Sequence, residues 1–189
     1  MKNILIKLPI LLTTVTSAFS TEFLFVGSGS PIESYYSTAG SICFIINKNH
    51  NNNRLRCSVE ATEGSVYNIN AIKDNDLNVA IAKLNIVENA YLGKGKFVEN
   101  GAIEKLRVLF LLNYKDKDKI TTSAFVTSKN ISEKTAYKIV KNIFDNYDTF
   151  IKLNPNLQNL KKDDFINKKI EVPFHKGAIK YYKENGWIN

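Results

Sequence analysis

The sequence of 189 residues is poor in the residue types that carry nucleophilic or metal chemistry, with only two cysteines and two histidines. His50 lies in a run of asparagines and His175 in the segment VPFHKGA. Neither histidine has nearby partners that would complete a nucleophilic site, and two cysteines without neighbouring histidines do not form a zinc site. The sequence therefore predicts no enzymatic activity, no metal and no cofactor, with His175 in a capping or packing role.

A second long apolar run is also missing from the chain. The first 20 residues combine two early lysines, a short apolar stretch, and Ala18 and Ser20 at the −3 and −1 positions of a peptidase site. This pattern is typical of a secretory signal peptide, and the run is too short for a stop-transfer helix. We predict that residues 1–20 are cleaved near Ser20 and that the protein is exported, with a buried N-terminal helix as the alternative.

The two cysteines, Cys43 and Cys57, lie fourteen positions apart. Export exposes them to an oxidising compartment, where an even number of cysteines pairs by default. The bridge would close a loop of about 15 residues and stabilise the fold by about 3 kcal/mol in the chain-entropy model. Two free buried thiols are the alternative.

The chain has a formal net charge of +8 but no basic stripe interleaved with aromatic residues. Its lysines are scattered among Asn, Asp and Glu, which argues against nucleic acid as a partner. A basic surface can nevertheless help to gather anionic ligands.

Strand and helix signals alternate through the first half of the chain. Apolar strands are followed by segments in which apolar residues recur every three or four positions. Three strand–helix units in succession predict a parallel sheet flanked by helices. The predicted strands cover 22–27, 55–61 and 77–84, the predicted helices cover 34–48, 65–75 and 85–93, and Asn49 to Arg54 is predicted as a polar loop.

The second half begins with two strands, 105–114 and 120–129, joined by the charged segment KDKDK. So short a connection makes them antiparallel neighbours. A long amphipathic helix follows over 132–153, with Ser132 as its N-cap, and a last helix covers 175–186. The sequence thus predicts a single α/β lobe with a mostly parallel sheet between two helical layers and one antiparallel returning strand.

Three strand-to-helix turns are candidates for ligand binding. The first, Gly27 to Ser30, lacks the third glycine of a dinucleotide fingerprint, because Ile32 stands there, and no Gly-Lys-Ser/Thr follows as in a phosphate loop. Turns of the same kind occur in EATEGS and AKLN. In a parallel sheet all three lie at the carboxyl edge, where helix N-termini favour anionic groups. Such turns also use glycine and small residues when no ligand is present.

The segments VGSGSPIESYYSTAGSICFIINKN, CSVEATEGSVYNINAIKDNDLNVAIAK and EVPFHKGAIKYYKENGWI resemble the TAXI family of TRAP-transporter solute receptors. The resemblance runs in order along nearly all of residues 21–189. It implies a periplasmic binding protein of type II that delivers a small carboxylate-bearing or amino-acid-like solute to the membrane subunit of a transporter.

The same resemblance implies three groups of ligand-binding residues. The third differs from the family, because Lys83-Leu84-Asn85 stands where members tend to have Gln-Ser-Asp. The loss of a hydroxyl and a carboxylate changes the hydrogen-bonding capacity there. The implied ligand-binding residues are Gly27, Ser28, Gly29, Ser30, Tyr35 and Tyr36 in the first loop, Thr62, Gly64 and Ser65 in the second, and Lys83 and Asn85 in the third.

The largest departure from the family is at 114–120, where members insert a whole second lobe with its own ligand loop. Here KDKDK bridges the gap, which leaves one lobe of a two-lobed receptor. A single lobe leaves its ligand largely in water, so we expect millimolar affinity or none.

Three functions remain open from the sequence. The protein is a truncated receptor that still binds a solute or its transporter, a remnant without function, or a repurposed exported interaction module. The last of these includes a homodimer whose two lobes face each other across the exposed edge.

Overall fold

The computed structural model describes residues 20–116, 119–157, 162–166 and 169–188. The predicted signal segment lies outside these ranges apart from Ser20, and so do residues 117–118 of the predicted joint at 114–120. Within the described ranges, no helix is both long and apolar enough to cross a membrane.

A five-stranded sheet forms the centre of the molecule, in the order β2-β1-β3-β5-β4. β1 pairs in parallel with β2 and β3, whereas β5 is antiparallel to both β3 and β4, so four strands share one direction. This confirms the predicted mostly parallel sheet with one antiparallel strand. The strands are β1 Glu22–Gly27, β2 Leu55–Glu60, β3 Val79–Lys83, β4 Leu106–Asp116 and β5 Lys119–Ser128.

Seven α-helices and three short 3₁₀ turns surround the sheet within the described residues. The helices are α1 Ser34–Lys48, α2 His50–Asn53, α3 Ser65–Asp74, α4 Leu84–Tyr91, α5 Glu133–Asp145, α6 Tyr147–Leu153 and α7 Lys176–Glu184. The 3₁₀ turns are Gly95–Phe97, Pro155–Leu157 and Lys162–Phe165.

Two hydrophobic clusters lie on opposite faces of the sheet, as β3 shows most directly. Val79 and Ile81 belong to the cluster packed by α1, α5 and α7, whereas Ala80 and Ala82 belong to the one packed by α3 and α4. Successive strand residues point to opposite faces, so a strand buried on both sides is apolar throughout. The α/β fold with helical layers on both faces is therefore confirmed.

The predicted disulfide between Cys43 and Cys57 is present, with the two Cα atoms 4.9 Å apart. It joins α1 to β2, which is an edge strand of the sheet. The Asn47 side chain secures the same strand, because its Nδ2 donates to the Cys57 carbonyl at 2.9 Å and its Oδ1 accepts from the Cys57 amide at 2.8 Å. A covalent bond and two hydrogen bonds thus hold β2 against α1.

Two sequence predictions of local structure were wrong in detail. The segment from Asn49 to Arg54 contains the helical turn α2 rather than only a loop, and Arg54 ends it in the left-handed region with φ 58°. The single helix predicted over 132–153 is divided at Asn146. The Asn146 Nδ2 donates to the Asn142 carbonyl, a local bond with which asparagine competes against helix continuation.

The predicted caps of the C-terminal helices are confirmed. The Ser132 hydroxyl accepts from the Thr135 amide at 3.0 Å at the start of α5. His175 is buried and caps α7, since its Nδ1 accepts from the Gly177 amide at 3.1 Å. Gly177 permits close packing of α7 on α5, because a Cβ there would lie 2.2 Å from the Glu133 carbonyl oxygen.

Candidate functional site

The carboxyl ends of β1, β2 and β3 lie at one edge of the sheet, and α1, α3 and α4 begin there. An open groove of about 650 Å³ occupies this edge. Its lining comes from the N-terminal parts of these three helices, the residues that precede them and one 3₁₀ turn. The lining residues are Glu33, Tyr35, Glu63, Gly64, Ser65, Val66, Tyr67, Asn70, Lys83, Ile86 and Lys96.

Four predicted ligand-binding residues line this groove, namely Tyr35, Gly64, Ser65 and Lys83. Gly64 precedes α3 with φ 92°, which favours glycine, and Lys83 precedes α4. Neither residue provides a side-chain acceptor for the first amides of its helix. The N-terminal amides of α3 and α4 therefore keep the positive end of the helix dipole directed at the groove.

The predicted residues of the first loop form the wall behind the groove. Ser28 is fully buried, and its hydroxyl donates to the Glu60 carbonyl at 2.8 Å. Thr62 joins the second loop to the first, since its hydroxyl donates to the Ser28 carbonyl at 3.0 Å and accepts from the Gly64 amide at 3.2 Å. The Ser30 amide donates to the Glu33 carboxylate at 3.2 Å. These residues shape the two loops.

The remaining predicted residues differ in their surroundings. Gly27 and Gly29 are buried in the wall, and the Gly29 carbonyl accepts from the Thr62 amide at 3.3 Å. Tyr36 and Asn85 lie in the first turns of α1 and α4, outside the lining of the groove.

Asn68 is an important residue of the wall that the sequence reading missed. It is fully buried, and its Nδ2 donates to the Ser28 carbonyl at 2.7 Å and the Ile81 carbonyl at 2.8 Å, which ties the ends of β1 and β3 together. Gly27 has to be glycine beside it, because a Cβ would lie 2.8 Å from Asn68 Oδ1 and 2.4 Å from Leu77 Cδ1. No sequence signal separates Asn68 from the many exposed asparagines of this chain.

Tyr35 reaches from α1 into the sheet at the floor of the groove. Its hydroxyl lies 2.5 Å from the Ser123 hydroxyl, and Ser123 pairs with Lys83 across β5 and β3. The ring of Tyr35 also packs against Tyr114, with 5.2 Å between centroids. Burial raises the pKa of Tyr35 above its ordinary value, so the phenol is a neutral hydrogen-bonding group at physiological pH.

The groove carries charges of both signs. The lining contains two acids, Glu33 and Glu63, and two lysines, Lys83 and Lys96. All four side chains are exposed to solvent. The formal charge of the lining is therefore zero, although the whole chain is basic. A groove with this lining can contact an ammonium and a carboxylate at the same time.

The two histidines and the acidic side chains of the described ranges form no metal cluster. No group of three or more His, Cys, Asp or Glu side chains there could hold a metal ion. His175 is committed to capping α7, and the His50 Nδ1 lies 3.0 Å from the Asn47 carbonyl oxygen at the end of α1. Both histidines therefore take part in local hydrogen bonding away from the groove.

The fold and the groove define a class of protein, a mixed α/β lobe with an open groove at the carboxyl edge of its sheet. The chain belongs to the NMT1-like family, whose model matches residues 26–123 and 114–186. No curated protein matches the chain.

Among solved structures, the chain is similar to a TRAP periplasmic solute-binding protein from Polaromonas sp. JS666 bound to D-erythronate. The sequence identity is 9% over 86% of this chain and 91% of that chain, with a TM-score of 0.42.

Proposed function

We propose that this protein is an exported, periplasmic solute-binding subunit of a TAXI-type TRAP transporter reduced to one lobe. Its groove binds a small carboxylate-bearing solute weakly, and the protein is not an enzyme. The observation that carries the proposal is the convergence of three helix N-termini and Lys83 on one groove at the carboxyl edge. Such an edge provides backbone amides and a positive charge for a carboxylate.

The reduction to one lobe is supported by the course of the chain at β4 and β5. The NMT1-like model matches in two segments that overlap at 114–123, and this overlap falls on the paired ends of β4 and β5. A chain that once left the lobe after β4 and returned at β5 could be shortened there without disturbing the sheet, because two adjacent antiparallel strands need only a short connection.

The open groove is the reason to expect weak binding. A solute at this edge is held from one side, so each polar contact competes with water. Binding proteins with two lobes enclose the solute by domain closure, which removes that competition. For the single lobe we therefore expect a dissociation constant of about 1 mM, which corresponds to about −4 kcal/mol.

The lining charges favour an amino-acid-like solute over a dicarboxylate. Lys83 and the amides of α3 and α4 suit a carboxylate, whereas Glu33 and Glu63 suit an ammonium group. A dicarboxylate would place its second negative charge near these acids. The preferred solute is therefore a zwitterion.

Thermal unfolding of the oxidised protein purified from the periplasm, with amino acids and dicarboxylates at 10 mM, tests this proposal. At a dissociation constant of about 1 mM the bound solute stabilises by about 1.4 kcal/mol, a rise in Tm of about 3–5 °C for a domain of this size. The rise should be larger with amino acids and should disappear in Lys83→Ala. Lys129→Ala is the matched control, because Lys129 is exposed and follows the opposite end of β5.

Two results would contradict the proposal. If no solute of the panel moves Tm, the lobe is a stable scaffold without solute binding, which favours the remnant or the interaction module. If Lys83→Ala and Lys129→Ala lose the shift equally, the solute binds elsewhere. Amino-terminal sequencing of the purified protein tests the cleavage near Ser20 in the same preparation.

A further inference from the structure

We infer that a second copy of this chain covers the groove and provides its missing wall. The inference rests on the proposed function, since it names the partner that closes the same groove. It starts from side chains at the carboxyl edge that the single lobe leaves uncovered.

Exposed apolar side chains surround this edge. Ile32, in the connection from β1 to α1, is 96% exposed, and Ile120, in the overhanging end of β5, is 66% exposed. Tyr67, in the first turn of α3, lines the groove and is 49% exposed. Three large apolar side chains exposed around one groove are typical of a surface that another protein covers.

The charge pattern favours a second copy over a different partner. A two-fold interface uses the same patch on both subunits, so the patch has to be complementary to itself. Glu63 and Lys96 both line the groove and both extend into solvent. A patch with both charges can place the acid of one copy opposite the lysine of the other, whereas a patch of one sign would repel its copy.

A hairpin extends the same edge on the side of β5. β3 ends at Lys83, which pairs with Ser123, whereas β4 and β5 remain paired as far as Asp116 and Lys119. Four residues of β5 therefore overhang the end of β3, a length of about 13 Å. The overhang rises beside the groove and carries Ile120, which gives a facing copy an apolar surface to pack against.

Sedimentation equilibrium of the oxidised, secreted protein from 1 to 500 µM tests the inference without any solute. We expect a monomer–dimer equilibrium, and Ile32→Asp should raise the dissociation constant of the dimer at least tenfold. Phe44→Asp is the matched control, because Phe44 is also an exposed apolar residue, at 53%. It lies ten positions after Ser34, the first residue of α1. A helix rises about 1.5 Å per residue, which places Phe44 about 15 Å from the start of α1.

Charge reversal tests whether the interface is complementary to itself. Glu63→Lys alone and Lys96→Glu alone should each weaken the dimer, since each places like charges in contact. An equimolar mixture of the two variants should restore association as a heterodimer. The structure gives neither side chain a hydrogen bond or an ion pair within the described residues. At concentrations at which the parent is monomeric, both variants should therefore keep its Tm.

A protein that stays monomeric at all concentrations overturns the inference, whatever the solutes do to its Tm. A dimer that Phe44→Asp weakens while Ile32→Asp does not also overturns it, because the interface is then on another face. A dimer with the expected variant pattern but no solute shift supports the interface and contradicts the proposed solute binding. The results can therefore contradict the dimer without contradicting solute binding, and solute binding without contradicting the dimer.

Discussion

Asn68 and His175 are the two buried side chains whose individual chemistry contributes most to this lobe. Both are almost completely shielded from solvent, at 0% and 4% exposure. Each satisfies backbone groups that would otherwise be buried without partners, a state that costs about 1–3 kcal/mol per group. The stability of the protein should therefore respond to small chemical changes at these two positions.

Replacing Asn68 by aspartate keeps the shape and removes the two N–H donors. The oxygen that takes the place of Nδ2 then faces both the Ser28 and the Ile81 carbonyls, so we expect a loss of at least about 3 kcal/mol of unfolding free energy at pH 7. Burial favours the neutral acid, whose O–H can donate, so the loss should shrink between pH 7 and pH 5. Urea unfolding of both proteins at the two pH values measures this.

Asn70→Asp is the control for this prediction, because Asn70 lies two residues further along α3 and is only partly buried. It should change the unfolding free energy by no more than about 0.5 kcal/mol. Equal effects at positions 68 and 70 would show that the bonds of Asn68 do not secure the loops.

His175 should make the protein less stable in mild acid. Burial lowers its pKa below the usual value of about 6.5, with a further lowering by Arg107 that Glu133 and the nearby backbone partly oppose. As pH falls below about 6.5 the unfolded chain binds a proton that the folded protein does not, so unfolding becomes more favourable. The stability that neutral His175 contributes is therefore complete at pH values above its pKa in the unfolded chain. It is lost progressively as the pH falls toward its pKa in the folded protein.

The variant His175→Asn isolates this effect, since an asparagine Oδ1 can accept from the Gly177 amide as the histidine Nδ1 does. Between pH 7.5 and 5.5 the parent should lose more unfolding free energy than the variant, because only the parent has a buried imidazole whose protonation favours the unfolded chain. Parallel pH profiles from denaturant titrations would contradict the prediction. All carboxylates are common to both proteins and cancel in the comparison.

At the scale of elements, β2 is one of the two edge strands of the sheet, with a strand neighbour on one side only. The disulfide and the Asn47 side chain hold this strand against α1. The second predicted ligand loop begins where β2 ends, and Thr62 connects it to the first loop. The attachment of one edge strand therefore supports one side of the groove.

Removing the disulfide should destabilise the whole lobe. For the double variant Cys43→Ala and Cys57→Ala we expect a loss of about 3 kcal/mol, since the bond closes a loop of about 15 residues. Guanidinium unfolding of parent and variant measures the difference. Reductant should lower the midpoint of the parent and leave the variant unchanged, and a variant as stable as the parent would show that the bond adds nothing to stability.

At the scale of the whole molecule, the alternation of strands and helices could be predicted closely. Observed α1 has the predicted ends, and the β4–β5 pair is antiparallel as its short connection requires. These features depend on residues near one another in sequence, through periodicity and connection length. The break in the helix at Asn146 was not predicted, because it depends on whether the Asn146 side chain hydrogen-bonds to the Asn142 carbonyl or to water.

The sequence by itself determined the class of fold and the edge of the sheet at which the groove lies, because each follows from local pattern or from strand direction. It also indicated the disulfide, because two cysteines in an exported chain pair by default. Only the tertiary structure decided which loop residues face the groove and which form its wall. The bonds that make Ser28 a wall residue come from Thr62 and Asn68, which are 34 and 40 positions away. Partners at that distance are set by packing of the sheet and helices, which no local pattern encodes.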